Sequence, residues 1–587
     1  MPAKGKDEQG LPNTLYYGDN LDILRRYVAS EWVDLIYLDP PFKSNQNYNV
    51  LFKEKNGSKA AAQILAFEDT WTWNQTAAIA YQEAVEMGGA VSKALQAFRM
   101  MLGANDMLAY LSMMAPRLME LRRVLRSTGS IYLHCDPTAS HYLKMPMDAV
   151  FDPTNFHNEI IWRRTGSHNA FRSFGPIHDT ILFYSKSPDY IFNIVRRPYA
   201  RGHVEKRYTK GADGQMRFTS GGNVLTGAGT TDGDSCQPWR GFEPAAKGRH
   251  WALPKFYEDA MPDAYKTLKP TEKLEALYKA GLVKIVKDNQ WPVMVRFLDE
   301  RTGVPVQDIW AYQPYTEKTL YGTDEGIDAD VAWMGPTDPA RLGYQTQKPD
   351  GLLTRIILAS SNEGDIVLDP FCGCGTTVAA ATLLDRQWIG IDITHVAVNL
   401  IKYRLHDTFG LEVDRDYEVV GEPVSVPDAQ QLAAEKPMQF QWWALGLVYA
   451  RRDEPKKGAD RGIDGLRFFH DEGPGGPTKQ VIFSVKAGKI GVGDVRDLRG
   501  VIEREKAAIG VLICMSEPTG PMENEAASAG FYKSPWGTQH PKLQILTIEQ
   551  LFAGGRVDLP QTGDERTFRK AMRKHRGKKP RQEDLEF

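Results

Sequence analysis

Apolar residues fall in two rhythms along this chain. Short runs of Val, Ile, Leu, Phe and Tyr alternate with stretches in which Leu or Met returns every third or fourth position. The runs predict strands and the stretches predict helices. Strand runs stand at 14–20, 33–38, 130–136, 160–162, 180–184, 366–368 and 388–393. Most of 53–127 reads as helical. There Leu111, Met114, Leu118, Leu121 and Leu125 share one helix face, with Gly129 expected to end the helix. Further helices are expected over 352–359 and 394–407. Segment 422–428 (EPVSVPD) reads as a linker. Beyond it, strand runs at 463–469, 480–486 and 509–514, with a charged helix over 493–507, form a second α/β group. Between 190 and 340 the periodicity is lost.

The 33–38 run ends on Asp39, Pro40, Pro41 and Phe42. Two prolines stop a strand and stiffen the loop beyond it. The pattern delivers an acid and an aromatic ring to the carboxyl edge of a sheet, where open α/β folds bind ligands. A carboxylate beside a flat ring suits a planar base with an exocyclic amine: the acid accepts from the amine and the ring stacks.

A second strand run, Ile366 to Leu368, leads through Asp369, Pro370 and Phe371 into the turn Cys372-Gly373-Cys374-Gly375-Thr376-Thr377, then into an alanine-rich helix. A strand, a Gly-x-Gly turn and a helix bring backbone close to a ligand at a helix N-terminus. Asp392, at the end of the following strand run, is placed to take the hydroxyls of a ribose. No third glycine follows at dinucleotide spacing. That favours a nucleoside without a pyrophosphate, with S-adenosylmethionine as the candidate.

A length of 587 residues allows roughly three to four domains. The net charge of −2 advertises no nucleic-acid partner by itself, so local charge must carry that argument. Bases interleave with aromatics at Trp239-Arg240-Gly241-Phe242 and at Lys247 to Trp251, a mixture suited either to phosphates and bases or to a small core of its own. Segment 566–581 holds nine Lys or Arg in sixteen residues, a solvated tail or a non-specific nucleic-acid contact. Five scattered cysteines speak for a reducing cytoplasm. The Cys372/Cys374 pair lacks a second pair at ligand spacing, so no metal is expected there. No signal peptide and no membrane span are read.

On Asp39–Phe42 and Phe371–Thr377, each after a strand and in that order, the chain resembles the β-class DNA amino-methyltransferases. The resemblance covers 14 to about 420 and includes the Gln347-Lys348-Pro349 stretch. It implies a Rossmann-like α/β sheet that uses S-adenosylmethionine, with catalytic part 14–190, target-recognition region 191–340 and cofactor-binding part 341–421. It further implies that Asp39, Pro40, Pro41 and Phe42 hold a flipped base. Phe371, Gly373, Gly375, Thr376 and Asp392 would line the cofactor, with Asp369 beside them, Lys348 closing the pocket and Asp19 near the adenine. Phe42 replaces the commoner tyrosine. Asp rather than Ser at 39 favours adenine N6 over cytosine N4. The resemblance implies double-stranded DNA as the partner, in a bacterial or phage-like cytoplasm, and a homodimer as an open possibility, since the family often dimerises.

Residues 430–557 resemble the PD-(D/E)xK restriction-endonuclease-like fold on Asp464, Ser484 and Lys486, with 558–587 as a basic tail. That family binds Mg²⁺ through two acids. Ser484 stands where the second acid belongs, and a hydroxyl is a poor ligand for so hard a cation; Glu435 is the candidate replacement. Two readings stay open: a fused restriction–modification enzyme, or an inactive relative that binds DNA or a partner. For the whole chain, two further readings compete with a DNA methyltransferase. One is a DNA-binding protein with dead catalytic domains, and the second is a methyltransferase of RNA or protein amides.

Overall fold

The computed structural model describes residues 13–560, apart from 42–72, 168–171, 453–461, 470, 472–477 and several shorter stretches between 212 and 345. In chain order the elements that build its largest sheet, with the helices that cover it, begin with β1 (Asn13–Tyr17), α1 (Asn20–Tyr27) and β2 (Val33–Leu38). Three helices follow: α2 (Gln75–Glu86), α3 (Gly89–Leu102) and α4 (Asp106–Val124). Next come β3 (Leu125–Cys135), α5 (Pro137–Phe151), β4 (Phe156–Arg163) and β5 (His178–Ser185). After an intervening region the chain returns as β6 (Ile309–Trp310), α6 (Asp350–Ser360), β7 (Ile366–Asp369) and α7 (Thr376–Leu383). It closes with β8 (Gln387–Asp392), α8 (His395–Phe409) and β9 (Tyr417–Val420).

The sheet order is β6-β4-β5-β3-β2-β7-β8-β1-β9. From β3 through β9 every pairing is parallel, and β5 is antiparallel to both β3 and β4. Central strands are apolar on both faces, as a sheet covered on two sides requires. Ile131 and Leu133 pack with Leu111, Leu118 and Leu121 of α4. Alternation then sends Tyr132 and His134 to the opposite face, where Tyr132 Oη meets Ser360 Oγ of α6 at 2.7 Å.

One helix boundary differs from expectation. Leu125 does not extend α4, and Gly129 does not end it: α4 stops at Val124, and both residues lie inside β3. Leu125 pairs with Val33 of β2 while its N–H still closes the last turn on Leu121. A sheet partner outweighed a side-chain repeat that both structures can bury. Segment 422–428 is also not a free linker. Glu422 is half-buried against Lys402 (2.9 Å) and His395 (3.3 Å), and Ser425 caps the next helix.

A second compact unit takes residues 195–306 and 313–329. Its small sheet joins Tyr208–Lys210, Met216–Ser220, Val293–Phe297 and Val283–Lys284. Trp239, Trp251, Tyr257, Tyr265 and Trp291 fill its core. Arg240 is bound by both oxygens of Glu275 at 2.8 Å and lies over Tyr278. Trp239 and Trp251 are therefore buried and supply packing here, and not the base contacts that their basic neighbours suggest.

The C-terminal region adds α9 (Val426–Glu435), α10 (Pro437–Leu447), β10 (Arg451–Arg452), β11 (Gly465–Phe469), β12 (Lys479–Lys486), α11 (Val492–Glu505), β13 (Ile509–Cys514), α12 (Gly520–Ser528) and β14 (Leu543–Thr547). These strands form a sheet in chain order, antiparallel through β12 and parallel from β12 to β14. Helix α10 lies on α8: Asn399 Nδ2 donates to Trp442 O, and Tyr403 Oη to Gly446 O, both at 3.0 Å. A Cβ at Gly446 would stand 2.2 Å from Asn399 Nδ2, so the approach requires glycine. Among the described residues no helix is long and apolar enough to cross a membrane.

Candidate active site

Strands β2 and β7 are parallel neighbours, with Val367 opposite Leu35 and Leu368 opposite Ile36. Their carboxyl ends, and the two loops that leave them, therefore emerge side by side. Strands β8 and β1 continue the same edge. Asp39, Asp369, Asp392 and Asp19 thus come from four adjacent strand ends, although 373 positions separate the first from the last in sequence.

Each acid does something different. Asp369 is buried, accepts from Phe371 N–H at 3.0 Å and from Thr377 Oγ1 at 2.5 Å, and so folds the glycine turn back onto α7. Burial pushes its carboxyl up to about 7. Asp392 accepts Gly373 N–H at 3.0 Å on one oxygen and the Thr394 amide and hydroxyl at 2.9 Å on the other. Burial raises it to about 6, against those bonds. Asp19 caps α1 through Leu21 N–H (2.7 Å) and takes Arg117 at 2.8 Å. Asp39 pairs with Lys348 Nζ.

Lys348 also ties the two loops together, because its carbonyl accepts from Thr376 Oγ1 at 3.4 Å. Gly373 and Gly375 stand at φ +49° and +72°. At Gly375 a Cβ would meet Ile401 Cγ1 of α8 at 2.7 Å, so only glycine lets the turn sit this close to its neighbour. Pro40 is buried and Pro41 half-buried beside this turn's strand. Phe42, expected as the stacking ring, lies outside the described residues, as does the basic segment 566–581.

The structure adds residues that sequence reasoning missed. Arg117 of α4 holds Asn20 Oδ1 at 2.6 Å, and Asn20 Nδ2 donates to Pro370 O at 2.8 Å, which braces the glycine turn from below. On the other side, Tyr37 Oη stands 2.8 Å from His134 Nδ1, and His134 Nε2 3.2 Å from Asp179 Oδ2. A histidine inside the apolar run Ile131 to Cys135 was the one available signal.

The nuclease candidates are only partly assembled. Asp464 Oδ2 accepts from Val485 N–H at 2.7 Å and from Ser484 Oγ at 3.3 Å, on the neighbouring strand. Lys486 faces Asp494 at 3.6 Å instead. Glu435 is exposed and accepts from Gln431 on its own helix at 2.9 Å. Among the described residues no group of three His, Cys, Asp or Glu could hold a metal ion.

A doubly wound sheet with a glycine turn, Asp392 and the Lys348-paired Asp39 on one carboxyl edge has the arrangement in which open α/β proteins bind ligands. The family model "DNA methylase", covering N6 and N4 enzymes, matches residues 33–403. The model "NACHT-associated inactive Restriction Endonuclease 1" matches 437–553. Among curated relatives, the type II methyltransferase M.EcaI of Enterobacter cloacae is 29% identical over 67% of this chain and 69% of its own length. The Mod subunit of the type III restriction–modification enzyme StyLTI of Salmonella typhimurium is 25% identical over 64% of this chain and 50% of its own length. A solved DNA modification methylase of Thermus thermophilus, complexed with S-adenosylmethionine, aligns with 70% of this chain and 99% of its own, at 14% identity and a TM-score of 0.31.

The family match spans more than half of the chain, and the chain belongs to the N6/N4 DNA methylase family. It is a DNA methyltransferase, and S-adenosylmethionine is the family's methyl donor. The residues fit that donor: two glycines at positive φ add no Cβ to the turn, the Tyr344 ring stands beside Gly373, and Asp392 accepts the Gly373 N–H.

Proposed function

We propose that this chain methylates the N6 amine of adenine flipped out of double-stranded DNA, with Asp39 as the catalytic residue. The observation that carries the reading is the juxtaposition of the Asp39 strand end with the glycine turn on the adjacent strand β7. S-adenosylmethionine, when bound, supplies a methyl group already activated on a sulfonium. Phe371, Gly373, Gly375, Thr376 and Asp392 would hold it, and Lys348 would close the pocket.

The rest of the work falls to Asp39 and its loop. A base inside a duplex is out of reach, so it must be extruded at a cost of a few kcal/mol. The Asp39 carboxylate and the Pro40 carbonyl accept the two amine hydrogens. That alignment draws the nitrogen lone pair out of the ring and toward the methyl. Pro40 and Pro41 stiffen the loop that carries both acceptors, and the Lys348 ammonium must leave the Asp39 carboxylate for the amine to take its place. Asp39 in place of Ser supplies the stronger acceptor for adenine's amine, which is the reason for preferring N6 over cytosine N4.

Asp39→Ala should lower methyl transfer to DNA at least about a thousandfold, the scale at which aligned acceptors act, while cofactor binding measured by calorimetry stays within a fewfold. Unchanged transfer would refute the assignment. Supplying adenine and cytosine duplexes side by side, and reading the methylated base by mass spectrometry, separates N6 from N4.

For the C-terminal region the inactive reading is favoured. Asp464 is committed to a backbone amide, Ser484 replaces the second acid, and Glu435 is bonded elsewhere. The region then serves to bind DNA or a partner and cuts nothing.

A further inference from the structure

Helix α8 begins three residues after Asp392, and its first turn is completed by a side chain from the C-terminal region. A helix leaves its first backbone N–H groups without partners of its own. Thr394 satisfies one of them, its hydroxyl accepting from Ala397 N–H at 3.1 Å. The His395 N–H, at the first helical position, donates to Gln439 Oε1 of α10 at 3.2 Å, 44 positions further along the chain. Both residues are buried.

The same corner fixes Asp392. Thr394 donates its amide and its hydroxyl to one carboxylate oxygen, and Gly373 N–H donates to the other. Gly18 N–H donates to the Asp392 carbonyl at 2.9 Å. Tyr17, in register with Asp392 on β1, stacks on the His395 ring with 3.7 Å between centroids. Glu422 Oε1 stands 3.3 Å from His395 Nδ1. Further along α8, Asn399 and Tyr403 donate to α10 carbonyls. The seat of α8 on α10 thus starts within three residues of Asp392.

That seat is polar and incompletely bonded. His395 Nε2 and Asn399 Oδ1 are buried and meet no hydrogen-bond partner among the described residues. Each unmet group is a cost to the docked arrangement. A contact that carries such costs has less to lose on shifting than one fully satisfied, so small changes on either side can move it.

Resting on the reading of Asp392 as a cofactor residue, we infer that Gln439 is a positioning residue of the methyltransferase. Through the His395 N–H it sets the first turn of α8, and with it Thr394 and the Asp392 carboxylate. Cofactor binding and the seating of the nuclease-like region then stabilise each other, and a partner that shifts α10 changes cofactor affinity through the same coupling.

The full-length protein tests this. Gln439→Met removes the acceptor and keeps the length of the side chain. It should weaken S-adenosylmethionine binding about tenfold by calorimetry, with kcat at saturating cofactor within about twofold of wild type. Phe483→Leu loosens the core of the C-terminal region itself. It should lower the melting temperature and leave cofactor affinity within about twofold. Wild-type affinity in Gln439→Met, or an equal loss in Phe483→Leu, would overturn the proposal. Should Gln439→Met fail to fold, the wild type answers alone. Added S-adenosylmethionine should slow hydrogen exchange across α10 several times more than across α12; equal slowing, or none, would overturn the proposal as well. Failure of the reading beneath it shows separately, as wild-type cofactor affinity in Asp392→Ala.

Discussion

The chain holds two sheets with acids at strand termini beside a neighbouring strand, Asp369 and Asp392 closing their strands and Asp464 preceding its own, and the two differ in what surrounds the acids. On the large sheet Asp369 and Asp392 are spent on backbone amides of the glycine turn and of the next helix. On the C-terminal sheet Asp464 is spent the same way, on Val485. In both places the acid is first a piece of scaffolding. The difference lies in what stands beside it. The large sheet adds a further acid, Asp39, paired with Lys348, and a turn with two glycines at positive φ. The C-terminal sheet offers a serine where a second acid would be needed. A carboxylate at a strand terminus is therefore weak evidence of catalysis; several on adjacent strands beside a glycine turn are stronger.

The largest effect that would break this contrast is expected at Gly375. Alanine there must adopt a left-handed backbone, at about 1–2 kcal/mol. Its Cβ must also displace Ile401, a contact of 2.7 Å that adds about 1–3 kcal/mol of overpacking. The turn should shift rather than absorb the strain, and cofactor affinity by calorimetry should fall about a hundredfold. Wild-type affinity in Gly375→Ala would mean that the turn is not the cofactor cradle, and the large sheet would lose what sets it apart.

A smaller effect is expected at Asp464. Asp464→Ala leaves the Val485 N–H without its acceptor, a loss of about 1–3 kcal/mol for a partly buried donor. Hydrogen exchange along β12 should quicken accordingly, with methyl transfer within about twofold of wild type. Neither protein should nick DNA with Mg²⁺. Mg²⁺-dependent nicking that disappears in Asp464→Ala would make this acid a metal ligand and erase the distinction between the two sheets.

What could be read from the sequence follows the same physics. The two loops were legible because proline and glycine act locally: Asp39-Pro40-Pro41 and Gly373-Cys374-Gly375 announce strand ends wherever the rest of the chain goes. The adjacent strands at 463–469 and 480–486 were legible from apolar runs. The end of α4 was not, because Leu125 satisfies a helix face and a strand equally well, and its partner Val33 is remote in sequence. Trp239 and Trp251 misled in one of their two readings, since an indole beside arginine looks alike whether it faces a base or a core. The Asn20–Arg117 brace and the Tyr37–His134–Asp179 chain were invisible for a simpler reason: their links join residues 97, 97 and 45 positions apart, and no local pattern records that.

The smallest expected effect concerns the cost of the scaffolding acids themselves. Asp369 is raised from 3.8 to about 7, and Asp392 to about 6, chiefly by burial. A carboxyl raised on folding binds more protons in the folded than in the unfolded chain between those values. Stability from these groups is then fully present below about pH 4 and is lost as pH climbs through 6 and 7. The melting temperature of the protein without cofactor should therefore fall between pH 5 and pH 8. Asp369→Asn, which keeps the acceptor for Phe371 N–H and carries no charge, should flatten that fall and melt above wild type at pH 8. Equal slopes in wild type and Asp369→Asn would show that Asp369 is ionised at no cost, and that the crowding of acids at the large sheet's edge is not what distinguishes it.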